Sequence, residues 1–192
     1  MIKLLSFVLP FLALLAPSLW VNYTLKKYNK FLPDMPFTGK ELGDKILQEQ
    51  NISNVLIKPI KQMDHYNPIE KKIHIGEDKI NKKSITSIAV TVHEIGHAIQ
   101  DKENYKPLKL RQSLMEKTLM FQRLGSFLLI IGLPSIFTLT KSPFITFIAA
   151  IIIMGCLSTN VLIHLITLPV EFDASFKRAL PILKKYVPSE NL

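Results

Sequence analysis

Residues Ser84 to Gln100 read SITSIAVTVHEIGHAIQ. Ile85, Ile88, Val92, Ile95 and Ile99 fall at alternating steps of three and four, the spacing of one apolar helix face. On such a helix His93 and His97 lie one turn apart on the same side, so both can offer a ring nitrogen to one ion. The isoleucine and valine stripe lies roughly opposite, so the helix is expected to pack on a domain and present its histidines to a cleft. Glu94 projects beside the histidines, where it can reach a metal-bound water without ligating the ion. A bound zinc lowers the pKa of its water toward about 7, and a carboxylate placed this way is a general base for attack on a carbonyl. Gly96 costs roughly 1 kcal/mol inside a helix relative to alanine, which suggests that another backbone or a substrate comes close there. The bland alternative is that the two histidines are ordinary helix residues at accidental spacing.

A catalytic zinc commonly takes three protein ligands and keeps one position open. A third histidine six residues after His97 would require Gly and His where this chain has Gln100 and Glu103, so the third ligand must come from elsewhere. Glu171, within Leu168 to Ser175 (LPVEFDAS), is the candidate. The competing reading is a helix-start carboxylate, since Pro169 and an early Glu both suit a first helical turn. Asp173 is either an acceptor for the far nitrogen of a ligand histidine or a solvated cap. His164 can satisfy itself against Asn160, and His65 and His74 read as surface residues, with His65 able to line the cleft. Arg178, Tyr105 and Tyr66 are candidates for stabilising an oxyanion.

The surroundings of this segment are membrane-like. Of 192 residues 48 % are hydrophobic, and they gather into three runs: Ile2 to Val21, Leu124 to Thr140 and Phe144 to Leu168. Each is near the length a helix needs to cross a bilayer, and the last two, joined by Lys141, Ser142 and Pro143, read as a hairpin. The net charge of +9 raises nucleic acid as a partner, but aromatic and basic residues are not interleaved as RNA binding requires. Lysines and arginines instead follow the first run, precede the second and follow the third, which places those segments, and the metal site, on the cytoplasmic side. The single Cys156 lies in the third run and excludes an intrachain disulfide.

The remaining signals are local. Thr38-Gly39-Lys40-Glu41 has capping-box spacing and opens a helix to about Gln50. Val55 to Ile60 and Lys72 to Ile75 are β-branched and predict a hairpin or two-stranded ribbon. Leu108 to Arg123 predicts an amphipathic helix leading into the membrane. The expected fold is a mainly α membrane protein with three transmembrane helices and a small α+β domain built on the HExxH helix. Its expected divisions are an anchor at 1–21, a metal-site domain at 22–123, a transmembrane hairpin at 124–168 and a C-terminal helix at 169–192 carrying Glu171.

Taken together, Ser84 to Gln100, Pro107 to Arg111 (PLKLR), Tyr66-Asn67-Pro68 and the later LPVEFDAS resemble the bacterial neutral zinc metallopeptidases of the YugP type. The resemblance covers most of the chain after the first apolar run. It implies a gluzincin-like site holding one zinc ion, with His93 and His97 as ligands, Glu94 as the catalytic glutamate and Glu171 as third ligand. It also implies a multi-pass protein of the bacterial cell membrane acting on peptide or protein substrates. Members of the family continue past the EFDAS helix into another apolar segment, where this sequence stops at Leu192, so the number of crossings stays open. Two other readings compete. One is a non-catalytic scaffold or assembly factor with a structural metal, which would have no need of Glu94. The other is a cation transporter using His164 and Asn160, which is hard to build from runs so poor in polar residues.

Overall fold

The computed structural model describes residues 16–187. The chain is mostly helical, with one three-stranded sheet. Two compact units are distinguished among them: residues 16–99 with 174–187, and residues 100–173.

In the first unit, residues 16–28 form helix α1. Of the predicted N-terminal anchor, residues 1–15 lie outside the described residues. Helix α2 (Gly39–Glu49) starts where the capping box required, with Thr38 Oγ1 accepting from the Glu41 amide and the Glu41 carboxylate accepting from the Thr38 amide. That reciprocal pair holds the Glu41 carboxyl below its ordinary pKa. Strands β1 (Leu56–Ile60), β2 (His65–Asn67) and β3 (Lys72–Gly76) follow.

The sheet corrects the expected hairpin. β1 pairs with β3 in parallel, from Leu56 with Lys72 to Ile60 with Gly76, and β2 pairs antiparallel with the other edge of β3. The reason lies in the polar link between them. Asn67 Oδ1 accepts from the amides of Ile69 and Glu70, and Lys71 takes a positive φ, so the tight turn closes β2 against β3 and leaves β1 to join from the far side. Asp64 then ties the end of β3, accepting from the Gly76 amide and pairing with Lys79.

Helix α3 (Ile85–Lys102) carries the HEIGH segment. Ser84 caps it, its Oγ accepting from the Ser87 amide. The predicted stripe is the core face: Ile88, Val92, Ile95 and Ile99 are buried with Leu42, Ile46, Ile57, Ile73 and Ile75, and Ile85 packs against them. Gly39 and Gly43, one turn apart on α2, let that helix lie directly on Ser87 and Thr91 of α3, and a Cβ at either position would collide. The segment Asp173–Ala179 is wound as a π-helix and is followed by helix α7 (Leu180–Tyr186). Ala179 and Val187 join the same core, and Lys185 and Tyr186 bond to Glu49 at the end of α2.

In the second unit, helix α4 (Lys106–Phe127) runs through one π turn at Leu128–Gly132 into α5 (Leu133–Thr140), and α6 (Pro143–Phe172) returns. Lys141, with φ 50°, makes the reversal, and Ser142 caps α6 by accepting from the Ile145 amide. Both α4 and α5 pack against α6. At Gly125 they come close, since a Cβ there would stand 3.0 Å from Cys156 Cβ. Two helical runs among the described residues, Lys106–Thr140 and Pro143–Tyr186, are long and apolar enough to cross a membrane. Only 6 % of the most apolar stretch of each is buried.

Candidate metal centre

His93 and His97 stand one turn apart on α3 with their ring centroids 4.9 Å apart and their planes near perpendicular. The sequence expected this face to open on a cleft, but it is largely covered. His97 is 5 % exposed and Glu94 7 % exposed, while Thr91 and Gln100 on neighbouring turns are fully buried. Burial favours metal chemistry here, because an ion pair or ligand bond is screened less once water is excluded.

What fixes His93 is a residue to which the sequence reading gave no role. Ser175 Oγ lies 3.0 Å from His93 Nδ1. A hydrogen bond at Nδ1 orients the ring and selects the nitrogen that points away, the arrangement by which metal-binding histidines are commonly held. The contact is possible because the π-wound segment passes directly over α3. Gly96 is the point of closest approach: a Cβ on it would stand 2.8 Å from the Ala174 carbonyl oxygen. The sequence expectation of another backbone at Gly96 therefore holds. Any larger residue would collide with the Ala174 backbone, next to Ser175.

In the second unit Glu171 lies within α6, and Pro169 lies inside that helix as well. The reading of Glu171 as a helix-start carboxylate is thereby overturned, since the helix does not restart at Pro169. Arg111 Nη2 pairs with Glu171 Oε1 at 2.7 Å, and both side chains are about a quarter to a third exposed. Arg111 is the other residue that sequence reasoning left without a role, although it stands at the end of the PLKLR segment. Gln100, fully buried, donates through Nε2 to Asp173 Oδ2 at 2.8 Å and to the Val170 carbonyl at 3.0 Å. Asp173 is thus an acceptor for a buried amide, and the solvated-cap reading of it is excluded. The Val170 carbonyl also accepts from the Asp173 amide, so Gln100 adds a second donor to it.

The other histidines are elsewhere. His65 and His74 face each other across β2 and β3 with rings stacked at 4.8 Å. Burial, and then His65, hold the His74 imidazole below its usual pKa. His164 is an exposed residue of α6. Of the oxyanion candidates, Tyr66 packs against the core of the first unit and Tyr105 is the N-cap of α4.

The donors present suit zinc. Two imidazoles one turn apart on α3 are donors of the kind zinc takes, unlike the all-oxygen sets of calcium and magnesium.

Comparison with known proteins agrees. One relative is described as "Putative membrane protease YugP" of Bacillus subtilis (strain 168), 31 % identical over 176 residues that cover 88 % of this chain and 74 % of the relative. No solved structure matches the chain. The family model described as "Putative neutral zinc metallopeptidase" matches residues 3–191, almost the whole sequence, and the chain belongs to that family.

Proposed function

We propose that the chain is a membrane-spanning zinc metallopeptidase in which His93, His97 and Glu171 hold one zinc ion and Glu94 carries the proton. The observation that carries this reading is the pair of imidazoles on one turn of α3, with the buried Glu94 next to His93 in the chain and Ser175 on the Nδ1 of His93. The family name supplies the metal and the reaction class.

Chain continuity supports Glu171 as the third ligand. It precedes Ser175, whose hydroxyl touches His93, by only four residues on an unbroken helical run. The bond to Arg111 does not exhaust it, because a carboxylate offers two oxygens and about four lone-pair sites. Arg111 instead fixes the carboxylate in place.

When bound, zinc supplies Lewis acidity, drawing electron density from the scissile carbonyl and making water beside it easier to deprotonate. Glu94 accepts the proton of the attacking water at a carboxylate oxygen and returns it to the leaving nitrogen. The carbon–nitrogen bond breaks as the oxygen of water bonds to the carbonyl carbon, and the products are a carboxylate and an amine. A scaffold with a structural metal would have no use for Glu94 at this position.

The membrane part of the proposal rests on the two long apolar runs, whose most apolar stretches are only 6 % buried, and on the membrane protease among the relatives. Apolar surface on that scale needs lipid or protein to cover it.

Purified full chain tests the site directly. Metal analysis is expected to find one zinc per chain, lost in His93→Ala and weakened in Glu171→Gln. Glu94→Gln is expected to keep its zinc and lose peptide hydrolysis by about 10²- to 10⁴-fold. Undiminished hydrolysis by Glu94→Gln would end the proposal, and wild-type zinc affinity in Glu171→Ala would remove Glu171 from the ligand set.

A further inference from the structure

The height of Glu171 above a membrane can be counted along the hairpin. Its tip carries Lys141, the one charge between the two apolar runs, so with the hairpin in a bilayer the tip marks the far edge of the hydrocarbon. At about 1.5 Å per residue, His164 stands about 30 Å from Phe144 and Glu171 about 40 Å. Hydrocarbon is about 30 Å thick, and a bilayer with its headgroups about 40–45 Å. A helix tilt of about 20° takes only about 2 Å from the larger distance. Glu171 then lies about 8–10 Å beyond the near edge of the hydrocarbon, at the outer side of the headgroups.

The other arm of the hairpin gives a second count. From Thr140 back to Arg111 is about 44 Å along α4 and α5. Arg111 and Glu171 are paired at 2.7 Å, so the two arms, counted separately, reach the same level. The intervening chemistry agrees. Ile130, Phe127 and Met120, 72 %, 56 % and 69 % exposed, fall within or at the edge of the hydrocarbon slab. Exposed Arg123, about 26 Å from Thr140, is near enough to the boundary to extend its guanidinium into the headgroups. Exposed His164 falls at the boundary and not deep in the bilayer, as its position in the apolar run had suggested.

We infer that the substrates are polypeptides anchored in the same bilayer, cut in the segment that emerges from it within about 10 Å of the hydrocarbon. This rests on the zinc-peptidase and membrane readings above and adds the substrate class. A site at headgroup level meets a tethered chain at an effective concentration in the millimolar range, whereas a dissolved peptide arrives only at its bulk concentration.

The test uses the full zinc-loaded chain in phosphatidylethanolamine and phosphatidylglycerol vesicles. One fluorogenic peptide is offered free, and the same peptide is offered on a transmembrane anchor through spacers of increasing length. Cleavage of the tethered form at least about tenfold faster is expected, with cuts confined to about the first ten residues outside the membrane. Equal rates, or cuts spread along a long spacer, would overturn the inference while a dead Glu94→Gln left the peptidase reading standing. Hydrolysis of neither form would overturn both. An activity-independent readout accompanies it, with single spin labels placed at Val161 and Leu168 in a Cys156→Ser background. Val161 is expected to favour oxygen and Leu168 a water-soluble nickel chelate. Oxygen preference at Leu168, or nickel preference at Val161, would place the site at the wrong level.

Discussion

Gly96 shows how much of the site depends on one missing methyl group. Alanine at this position would gain about 1 kcal/mol of helix propensity. It would also meet the Ala174 carbonyl at 2.8 Å, and a backbone atom cannot rotate away as a side chain can. Overpacking of this kind costs about 1–3 kcal/mol, so the steric cost matches or exceeds the propensity gain. Gly96→Ala is expected to lower thermal stability modestly and to weaken zinc retention against a chelator, because the displaced segment takes Ser175 off His93. Gly155→Ala is the control, since a Cβ there meets nothing within 4 Å. A Gly96→Ala protein that binds zinc like wild type would show that the Ser175 contact does not matter. The same pair of residues marks what could be read beforehand. His93, Glu94, His97 and Gly96 were legible because their geometry is fixed within one turn of helix. Ser175 and Arg111 were not, because a serine 82 residues from its histidine and an arginine 60 residues from its glutamate have no local signature. Only the fold brings each to its partner.

Elements were legible where they carry their own start signals. The capping box at Thr38 and the three-four stripe of α3 each correspond to observed structure. β2 escaped because three residues are too few to show alternation, and the sheet was misread because register there is set by the Asn67 turn and not by the β-branched runs. The β2–β3 hairpin also carries a pH dependence. The folded His74 imidazole is held below its ordinary pKa by burial first and by His65 second, with Lys72 adding to the effect and Glu70 opposing it. The unfolded chain therefore binds the proton more readily. The stabilisation is fully present above the unfolded value of about 6.5 and is lost as pH falls through it toward the folded one. Melting at pH 8 and pH 5.5, with chelator present so that metal uptake adds nothing, should show a smaller drop in His74→Asn than in wild type. An unchanged drop would assign the acid sensitivity to other groups.

At the scale of the whole molecule the distribution of charge argues for an orientation. Lys177, Arg178, Lys184 and Lys185 follow α6, and Lys106, Lys109, Arg111 and Lys117 precede the apolar part of the opposite arm. The hairpin tip between those arms carries Lys141 alone. Short flanking segments rich in lysine and arginine stay in the cytoplasm during insertion, since moving each across is opposed by the membrane potential at about 2.3 kcal/mol per 100 mV. Two arms with at least four cations apiece, Arg123 being a fifth on the first, outweigh a single one at the tip. The tip is therefore expected outside, and Glu171, at the base of the hairpin, on the cytoplasmic side together with the substrates it serves. In a Cys156→Ser background, Ser142→Cys should react with a membrane-impermeant maleimide in whole cells, and Lys184→Cys only after the cells are permeabilised. The reverse pattern would place the site on the outer face and make exported chains, not cytoplasmic ones, the polypeptides within its reach.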